Sequence, residues 1–276
     1  MDKLNFITAG IPIRTKPRTY KQAFDDLEEM GLNGVEIEFV HGVRMSSDNQ
    51  REIVEFASQK NMILTAHAPY YINLNSKEEE KIEASVQRVV ETAQMAKKLG
   101  LYSIVFHAAF YMGADKDVVF DKVKAGFDEI MQTLKEEKNT VFVRPETTGK
   151  PTQWGDLDEV IKISKLYDNV LPCIDFSHLH ARSGGAYNSY DDFSRILEQI
   201  GDELGDFALK NFHAHAAGIE YTQKGEVRHL MMRESDFDYK ALMKAFKAFD
   251  VRGVLVCESP VMEEDAVLLK EYYSKL

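Results

Sequence analysis

Cysteine is nearly absent from the 276-residue sequence, which has only Cys173 and Cys257 and no CxxC pair. This scarcity argues against a disulfide-stabilised secreted domain and against a thiolate metal site, so we expect both residues to lie in the core of a reduced, cytoplasmic protein. Also missing is any run approaching the ~20 apolar residues of a membrane span. The first residues, Met1–Asn5, lack the basic start and apolar segment of a secretory signal. We therefore expect no membrane association.

Positive charge is in deficit as well, with 34 lysines and arginines against 45 acidic residues and a net charge of −11. This balance argues against a broadly basic surface of the kind that binds nucleic acids non-specifically. It leaves room for a small, locally positive footprint. Carboxylates that hold divalent metals count as negative in the sequence but are offset once the ions bind.

In contrast to these shortages, strand-like and helix-like segments alternate along the whole chain. Such alternation predicts parallel strands joined by right-handed crossovers, and this length is usual for one (β/α)₈ barrel. No linker rich in Pro, Gly or Ser interrupts the pattern, so we expect a single TIM-barrel domain over residues 1–276. The predicted strands are Leu4–Ala9, Gly34–Val40, Met62–His67, Tyr102–His107, Thr140–Glu146, Val170–Asp175, Asn211–His215 and Val254–Glu258.

Polar residues with metal-binding side chains stand at the ends of six consecutive predicted strands. Barrels place their active sites at the C-terminal ends of their strands, and only a closed ring brings six such ends together, which disfavours an open sheet. Because side chains alternate along a strand, each residue caps a column that points inward. The six are His67, His107, Glu146, Asp175, His215 and Glu258, spaced 29 to 43 residues apart.

Imidazole and carboxylate ligands without thiolate suit zinc, manganese or iron. His67, His107 and Glu146 end neighbouring predicted strands, so these three residues could hold one ion. Asp175, His215 and Glu258 could hold a second, with Glu146 as the bridge between the two ions. The remaining histidines divide into possible ligands of a third ion and residues outside the cluster. His178 and His229 belong to the first class, and His41 and His180 to the second.

Several short motifs around these residues resemble the endonuclease IV family of apurinic/apyrimidinic endonucleases, and most closely its archaeal-type branch. The resemblance covers nearly the whole chain, and the motifs occur in the family's order. They are His67-Ala68-Pro69-Tyr70-Tyr71-Ile72-Asn73-Leu74, Phe106-His107, Glu146-Thr147-Thr148-Gly149-Lys150, Asp175-Phe176-Ser177-His178, Gly218-Ile219-Glu220-Tyr221 leading to Arg228-His229, and Glu258-Ser259-Pro260.

The resemblance implies a xylose-isomerase-like TIM barrel with two or three zinc ions that cuts double-stranded DNA 5′ to an abasic site. It implies Glu146 as the catalytic bridging ligand, and Tyr70 and Tyr71 as side chains that help to expose the abasic sugar. By motif, the zinc ligands would be His67, His107 and Glu146 for the first ion, Glu146, Asp175, His215 and Glu258 for the second, and His178 and His229 for the third.

The third site departs from the family pattern, in which an Asp usually stands two residues before the final histidine. Val227 occupies that position here. The sequence therefore predicts a third site that is weak or differently built, with Glu226 and Glu220 as alternative ligands. In a regular extended segment Glu226 would point to the opposite face, so it could reach the ion only if the segment is irregular.

Two other functions remain open at this stage. A one-metal sugar isomerase or epimerase of the same barrel superfamily would need only Glu146, Asp175, His215 and Glu258. The extra histidines at 67, 107 and 178 argue against it, since such an enzyme does not need them as ligands. The other alternative is a module that binds damaged DNA without cutting it. No protein partner can be inferred from the sequence.

Arg144 is an unusual residue for the middle of a barrel strand. It shares the inward face with Glu146, and a buried guanidinium needs a partner because it stays charged. Glu36 and Glu38 alternate with apolar residues and should also point inward. The pattern predicts an ion pair between Arg144 and one of these two carboxylates below the metals.

Overall fold

The computed structural model describes all 276 residues and contains a closed parallel barrel surrounded by helices. Twelve strands are present, of which eight form the barrel. The strands are β1 (Leu4–Ala9), β2 (Gly34–Glu38), β3 (Ile63–His67), β4 (Ser103–Phe106), β5 (Ala109–Phe110), β6 (Phe142–Pro145), β7 (Gln153–Trp154), β8 (Ile174–Asp175), β9 (Phe212–Ala216), β10 (Gly218–Thr222), β11 (Gly225–Leu230) and β12 (Gly253–Cys257).

The helices follow the barrel strands in the predicted alternation. They are α1 (Tyr20–Met30), α2 (Ser47–Gln59), α3 (Glu79–Leu99), α4 (Lys116–Glu136), α5 (Leu157–Ser164), α6 (Phe176–Arg182), α7 (Tyr190–Leu204), α8 (Asp206–Lys210), α9 (Tyr239–Ala248) and α10 (Met262–Ser274). None of them combines the length and the apolarity needed to cross a bilayer.

The barrel strands pair in the order β6-β4-β3-β2-β1-β12-β9-β8, and every pair is parallel. The ring closes between β6 and the segment before β8 through two parallel bridges, Val143 with Val170 and Glu146 with Cys173. The predicted (β/α)₈ fold is therefore confirmed. All the C-terminal strand ends meet at one rim, as parallel strands require.

Local sequence signals account for the positions of the helices. In α1 the side chain of Thr19 accepts a hydrogen bond from the backbone N–H of Gln22, and Gly31 ends the helix with φ of 66°. Phe24 and Leu27 lie on the buried face of α1, and burial of each stabilises the fold by about 1.5–3 kcal/mol. They belong to a hydrophobic core of 67 buried residues between the helices and the barrel.

Two parts of the structure differ from the sequence-based expectation. The segment Ala216–Phe237, which lies between the last two predicted strands, contains the antiparallel hairpin of β10 and β11. Thr222 pairs with Gly225, which has φ of 89°, so the hairpin turns through two residues. The second difference is α6, a short additional helix that begins directly after β8. Both elements bring residues to the rim.

The predicted ion pair of Arg144 with Glu36 or Glu38 is wrong. Arg144 is fully buried, as expected, but its guanidinium donates to the carbonyls of Pro172 (3.2 Å) and Asn211 (2.8 Å). It also packs against the rings of Tyr102 and Phe142, with centroid distances of 5.4 and 5.2 Å. Carbonyl oxygens and aromatic faces take the place of the expected carboxylate, while Glu36 is directed at His213, His215 and Thr65.

Candidate metal centre

The six strand-end residues that the sequence singles out come together at the C-terminal rim of the barrel. A first group consists of His67, His107 and Glu146, whose ligand atoms lie within 4.8 Å of one another. Nε2 of His67 lies 3.1 Å from Glu146 Oε2, and Nε2 of His107 lies 2.9 Å from the same oxygen. One carboxylate oxygen thus faces two imidazole nitrogens.

A second group uses the other oxygen of the same carboxylate. Its members are Glu146, Asp175, His215 and Glu258, again with ligand atoms within 4.8 Å of one another. Nδ1 of His215 lies 3.2 Å from Glu146 Oε1 and 3.3 Å from Glu258 Oε1. Glu146 is therefore shared between two groups of donors, which is the geometry of a bridging ligand.

Asp175 has two separate roles at the start of α6. Its Oδ1 accepts a 2.7 Å hydrogen bond from the backbone N–H of His178 and so caps the helix. Its Oδ2 is buried and has no hydrogen-bond partner. The spacing in the Asp-Phe-Ser-His motif brings both side chains together, because the N-cap residue and the third residue of a helix lie on the same side of that helix. That places Asp175 and His178 together at the rim.

A third group, Asp175, His178 and His229, lies beside the hairpin. Glu226 joins it, since its Oε2 lies 3.6 Å from Nε2 of His178. The hairpin contains a bulge that makes this possible: Glu220 pairs with Arg228 but Tyr221 pairs with Glu226, so Val227 is an extra residue without an opposite partner. A bulge changes the phase of side-chain alternation. Glu226 and His229 therefore face the same way, although they are three residues apart.

The other alternative ligand and the residue that replaces the family's Asp both point away. The side chain of Val227 is 51% exposed, and Glu220 forms a 2.6 Å ion pair with Arg228 on the outer side of the hairpin. The sequence identified Glu226 only as a candidate that needed an irregular strand. The signal for that irregularity is the three-residue spacing between Glu226 and His229.

Gly149 is a site residue for which the sequence analysis gave no reason. A Cβ at this position would lie 2.7 Å from Glu226 Oε2 and 3.0 Å from His178 Cδ2. The carbonyl of Gly149 also accepts a 3.0 Å hydrogen bond from the backbone N–H of Glu226. Only glycine leaves room for Glu226 to approach His178, so the Thr-Thr-Gly-Lys motif has a direct steric purpose here.

Three histidines are held in the orientation that metal binding needs. Nδ1 of His67, His178 and His229 lies 2.8, 3.0 and 3.1 Å from the backbone carbonyls of Ala68, Thr147 and Glu258, respectively. A carbonyl only accepts, so Nδ1 carries the proton and Nε2 keeps its lone pair for an ion. Nε2 of His67 faces Glu146 and Nε2 of His178 faces Glu226, while Nδ1 of His178 also lies 3.3 Å from a carboxylate oxygen of Glu146 and of Asp175.

The donor spacing fits divalent ions of the size of zinc. Bonds of 2.0–2.2 Å in a tetrahedron put neighbouring donors about 3.4 Å apart, and the separations described above run from 2.9 to 3.6 Å. Asp175 Oδ2, His215 Nδ1 and His229 Nε2 are buried without a hydrogen-bond partner. Buried polar atoms without partners are rare, and ions bound at the second and third groups would give each of these atoms a partner. The residues present therefore fit bound metal.

Comparison with known proteins agrees with the architecture. The family model for xylose isomerase-like TIM barrels matches residues 24–272. The chain belongs to this family. An uncharacterized protein of Methanocaldococcus jannaschii is 44% identical over 273 residues, which cover 99% of this chain and 98% of the relative. The protein named "Probable endonuclease 4" of Mycoplasma pneumoniae is 25% identical over 223 residues, which cover 79% of this chain and 75% of the relative.

Solved structures with the same fold as this chain differ in the activities that their names give. Endonuclease IV from Thermus thermophilus has a TM-score of 0.72 and 17% identity, with 99% of this chain and all of that chain covered. A D-tagatose 3-epimerase-like protein has a TM-score of 0.73 and 17% identity, with coverage of 98% and 96%. The barrel is thus common to endonuclease IV and to sugar epimerases, and the site residues must decide between them.

The electrostatics of the donor groups favour a compensating positive charge. Burial opposes ionisation of Glu146, but the imidazoles of His107 and His215 outweigh it and hold the pKa of Glu146 well below its usual range. Burial would lower the pKa of His67, yet its contact with Glu146 raises that pKa to about 10. Without metal, protons on the histidines supply the charge that ions would bring.

The two tyrosines of the rim are available to a substrate. Tyr70 and Tyr71 are 57% and 58% exposed, and the ring of Tyr70 lies 5.7 Å from that of His67. Tyr71 has its hydroxyl 3.2 Å from Nδ1 of His41, which therefore lies outside the donor groups. His180 is also outside them, with Nε2 3.1 Å from Asp236. Both histidines lie where the sequence placed them.

Proposed function

We propose that this protein is a metal-dependent apurinic/apyrimidinic endonuclease that hydrolyses the DNA phosphodiester 5′ to an abasic site. The observation that carries the proposal is the sharing of Glu146 between two groups of donors, with a third group directly beside them. A site for several adjacent divalent ions suits phosphodiester hydrolysis, in which both the attacking and the leaving oxygen need stabilisation.

Each donor group has a distinct part in the proposed reaction. When bound, the ions supply Lewis acidity toward the phosphodiester oxygens and the attacking water. Glu146 fixes the spacing of the first two positions, since its two oxygens face different groups. His178, His229 and Glu226 form the third position next to the hairpin. We propose zinc as the metal, with manganese or iron as alternatives that accept the same ligands.

The surface around the centre is suited to a large substrate. Exposed apolar side chains stand on loops that follow the C-terminal ends of three barrel strands and on the hairpin, and these are Ile13, Tyr70, Tyr71, Met112 and Val227. Beside Glu226 a groove of about 650 Å³ is lined by Lys150 and Lys224. Aromatic side chains can fill the gap left by a displaced nucleotide, and lysines can contact the phosphates. This local positive footprint lies on an otherwise acidic protein.

A sugar isomerase or epimerase with one metal is the second candidate. The group of Glu146, Asp175, His215 and Glu258 favours it, because these four ligands alone form a complete site. The first and third groups favour the nuclease, because one ion would leave His67, His107, His178 and His229 facing the centre without a ligand role. Metal stoichiometry distinguishes the two candidates: one ion favours the epimerase, and two or three favour the nuclease.

Glu146→Gln tests the proposal in the assembled protein. Loss of the shared charge should weaken two ions at once and lower the cleavage rate of a duplex with one abasic analogue at least about 100-fold, or about 2.7 kcal/mol. Asp26→Asn is the matched control, since Asp26 is a buried carboxylate that bonds to Thr15 and Gln22 and no donor-group residue. A Glu146→Gln protein that cuts as fast as the parent would refute the assignment. Binding of the abasic duplex without cutting by the metal-loaded parent would indicate the non-cleaving alternative.

A further inference from the structure

A second layer of polar residues lies directly beneath the metal centre, inside the barrel. Glu36, His213 and Thr65 are all fully buried there, on β2, β9 and β3. Oε1 of Glu36 lies 2.9 Å from Nε2 of His215, and Oε2 lies 3.1 Å from Nε2 of His213. Thr65 donates a 2.6 Å hydrogen bond to the same Oε2. One carboxylate thus faces three donors in the barrel interior.

His215 differs from the other histidines of the centre. His67, His178 and His229 each place Nδ1 against a backbone carbonyl, with Nε2 of His67 toward Glu146 and Nε2 of His178 toward Glu226. His215 is reversed: Nδ1 faces Glu146 and Glu258, and Nε2 faces Glu36. No backbone carbonyl is bonded to this ring. The carboxylate of Glu36 occupies the position that a carbonyl has in the other three.

The buried atoms in this layer have few other partners. Glu36 Oε1, both ring nitrogens of His215 and Nε2 of His213 make no aligned hydrogen bond, so the contacts of Glu36 with the two rings are close charge–dipole contacts at 2.9 and 3.1 Å. A carboxylate can only accept, so Nε2 of His215 must carry its proton for the 2.9 Å contact to be attractive. Nδ1 then has its lone pair directed at Glu146 and Glu258, where a ligand atom is needed.

The tautomer of His213 is fixed in the same way. Its Nδ1 lies 2.9 Å from the hydroxyl of Ser103, which can donate as well as accept. Its Nε2 faces Glu36, which only accepts, so the proton belongs on Nε2 and the Ser103 hydroxyl donates to Nδ1. The result is a buried series of polar contacts in which the Ser103 hydroxyl donates to His213, and His213 and His215 both direct a protonated Nε2 at Glu36.

We propose that Glu36 is a positioning residue that holds His215 with Nδ1 toward the metal, with His213 and Thr65 keeping Glu36 in place. The inference rests on the proposed metal-dependent function and deepens it. Partners of metal-bound histidines orient the ring and strengthen the ligand, and their loss typically lowers metal affinity 10- to 100-fold. Glu36 also provides a negative charge beneath the ions, and Arg144 forms no ion pair with it because its guanidinium bonds to carbonyls elsewhere.

The first test measures zinc affinity by competition with a chromophoric chelator. Glu36→Gln should weaken one ion about 10- to 100-fold and leave the others unchanged. Ser103→Ala, at the end of the polar series farthest from His215, should lower zinc affinity less than Glu36→Gln does. Asp26→Asn should leave zinc affinity unchanged. Zinc binding by Glu36→Gln with the parent's affinity at every site would overturn the inference. A parent protein that binds no zinc would refute the proposed function itself, and this inference with it.

The second test does not depend on a variant that folds. Long-range proton–nitrogen correlation spectra of the zinc-loaded parent, labelled at histidine, report which ring nitrogen carries the proton. Protonated Nε2 on both His213 and His215 is the expected result. A proton on Nδ1 of His213, or a metal-free Nδ1 on His215, would contradict the proposed arrangement of Ser103, His213, Glu36 and His215.

Cys173 gives a further check, because it lies with His213 and His215 in a possible ligand group. Thiolate-to-metal absorption after cobalt substitution would mean that this layer binds an ion, and would also overturn the inference.

Discussion

Replacement of Glu226 by glutamine should remove one metal ion and leave two. The oxygen of Glu226 lies 3.6 Å from Nε2 of His178, close to the separation of about 3.4 Å expected for two ligands of one zinc. Its side chain is only 22% exposed, so its attraction for an ion is weakly screened. A unit charge at ~4 Å from a divalent ion contributes about 8 kcal/mol at an effective dielectric of about 20.

Desolvation of the carboxylate and the ion offsets most of that attraction. We therefore expect Glu226→Gln to weaken the third ion at least about 100-fold, which corresponds to about 2.7 kcal/mol. The assay is metal analysis by mass spectrometry after dialysis against a weak chelator, with a fall from three ions to two. Glu220→Gln is the matched control on the same hairpin and should retain all three. Three ions in Glu226→Gln, or a loss in Glu220→Gln alone, would refute the assignment of Glu226.

Two further predictions concern the same centre. Gly149→Ala should also release the third ion, because the new methyl group would lie 2.7 Å from Glu226; overpacking of this kind costs about 1–3 kcal/mol. An Ala variant with unchanged stability and three ions would contradict the steric role of Gly149. Metal binding should release protons, because the pKa of His67 is about 10 and that of His178 is well above its usual value in the metal-free protein. Apparent affinity should therefore rise with pH between about 6 and 8, and calorimetry in two buffers of different ionisation enthalpy should show proton release; identical heats in both buffers would contradict it.

Much of the fold and the centre could be predicted because both follow from local periodicity. The alternation of strands and helices indicated the barrel, and a parallel barrel brings all C-terminal strand ends to one rim. His67, His107, Glu146, Asp175 and Glu258 needed no further information to be placed near one another. Each stands at the end of a strand or one residue beyond it.

What could not be predicted depends on contacts between distant segments. The bulge at Val227 turns Glu226 toward His178, and the three-residue spacing of Glu226 and His229 does not by itself specify a bulge there. Arg144 points inward, as predicted from alternation. Its partners are set by side-chain length and by carbonyls on other strands, which alternation does not report. The hairpin of β10 and β11 is not among the predicted strands, because its two strands pair with each other outside the strand–helix alternation that predicts the barrel.

The most direct test of the central claim is incision of a duplex that carries one abasic analogue by protein of known metal content. The zinc-loaded protein should cut the strand once, 5′ to the analogue, and leave a 3′-hydroxyl that a DNA polymerase can extend. Chelation should abolish the cut, and added zinc should restore it. No incision by protein with two or three bound ions, together with metal-dependent epimerisation of a ketohexose, would contradict the account and assign the centre to sugar chemistry.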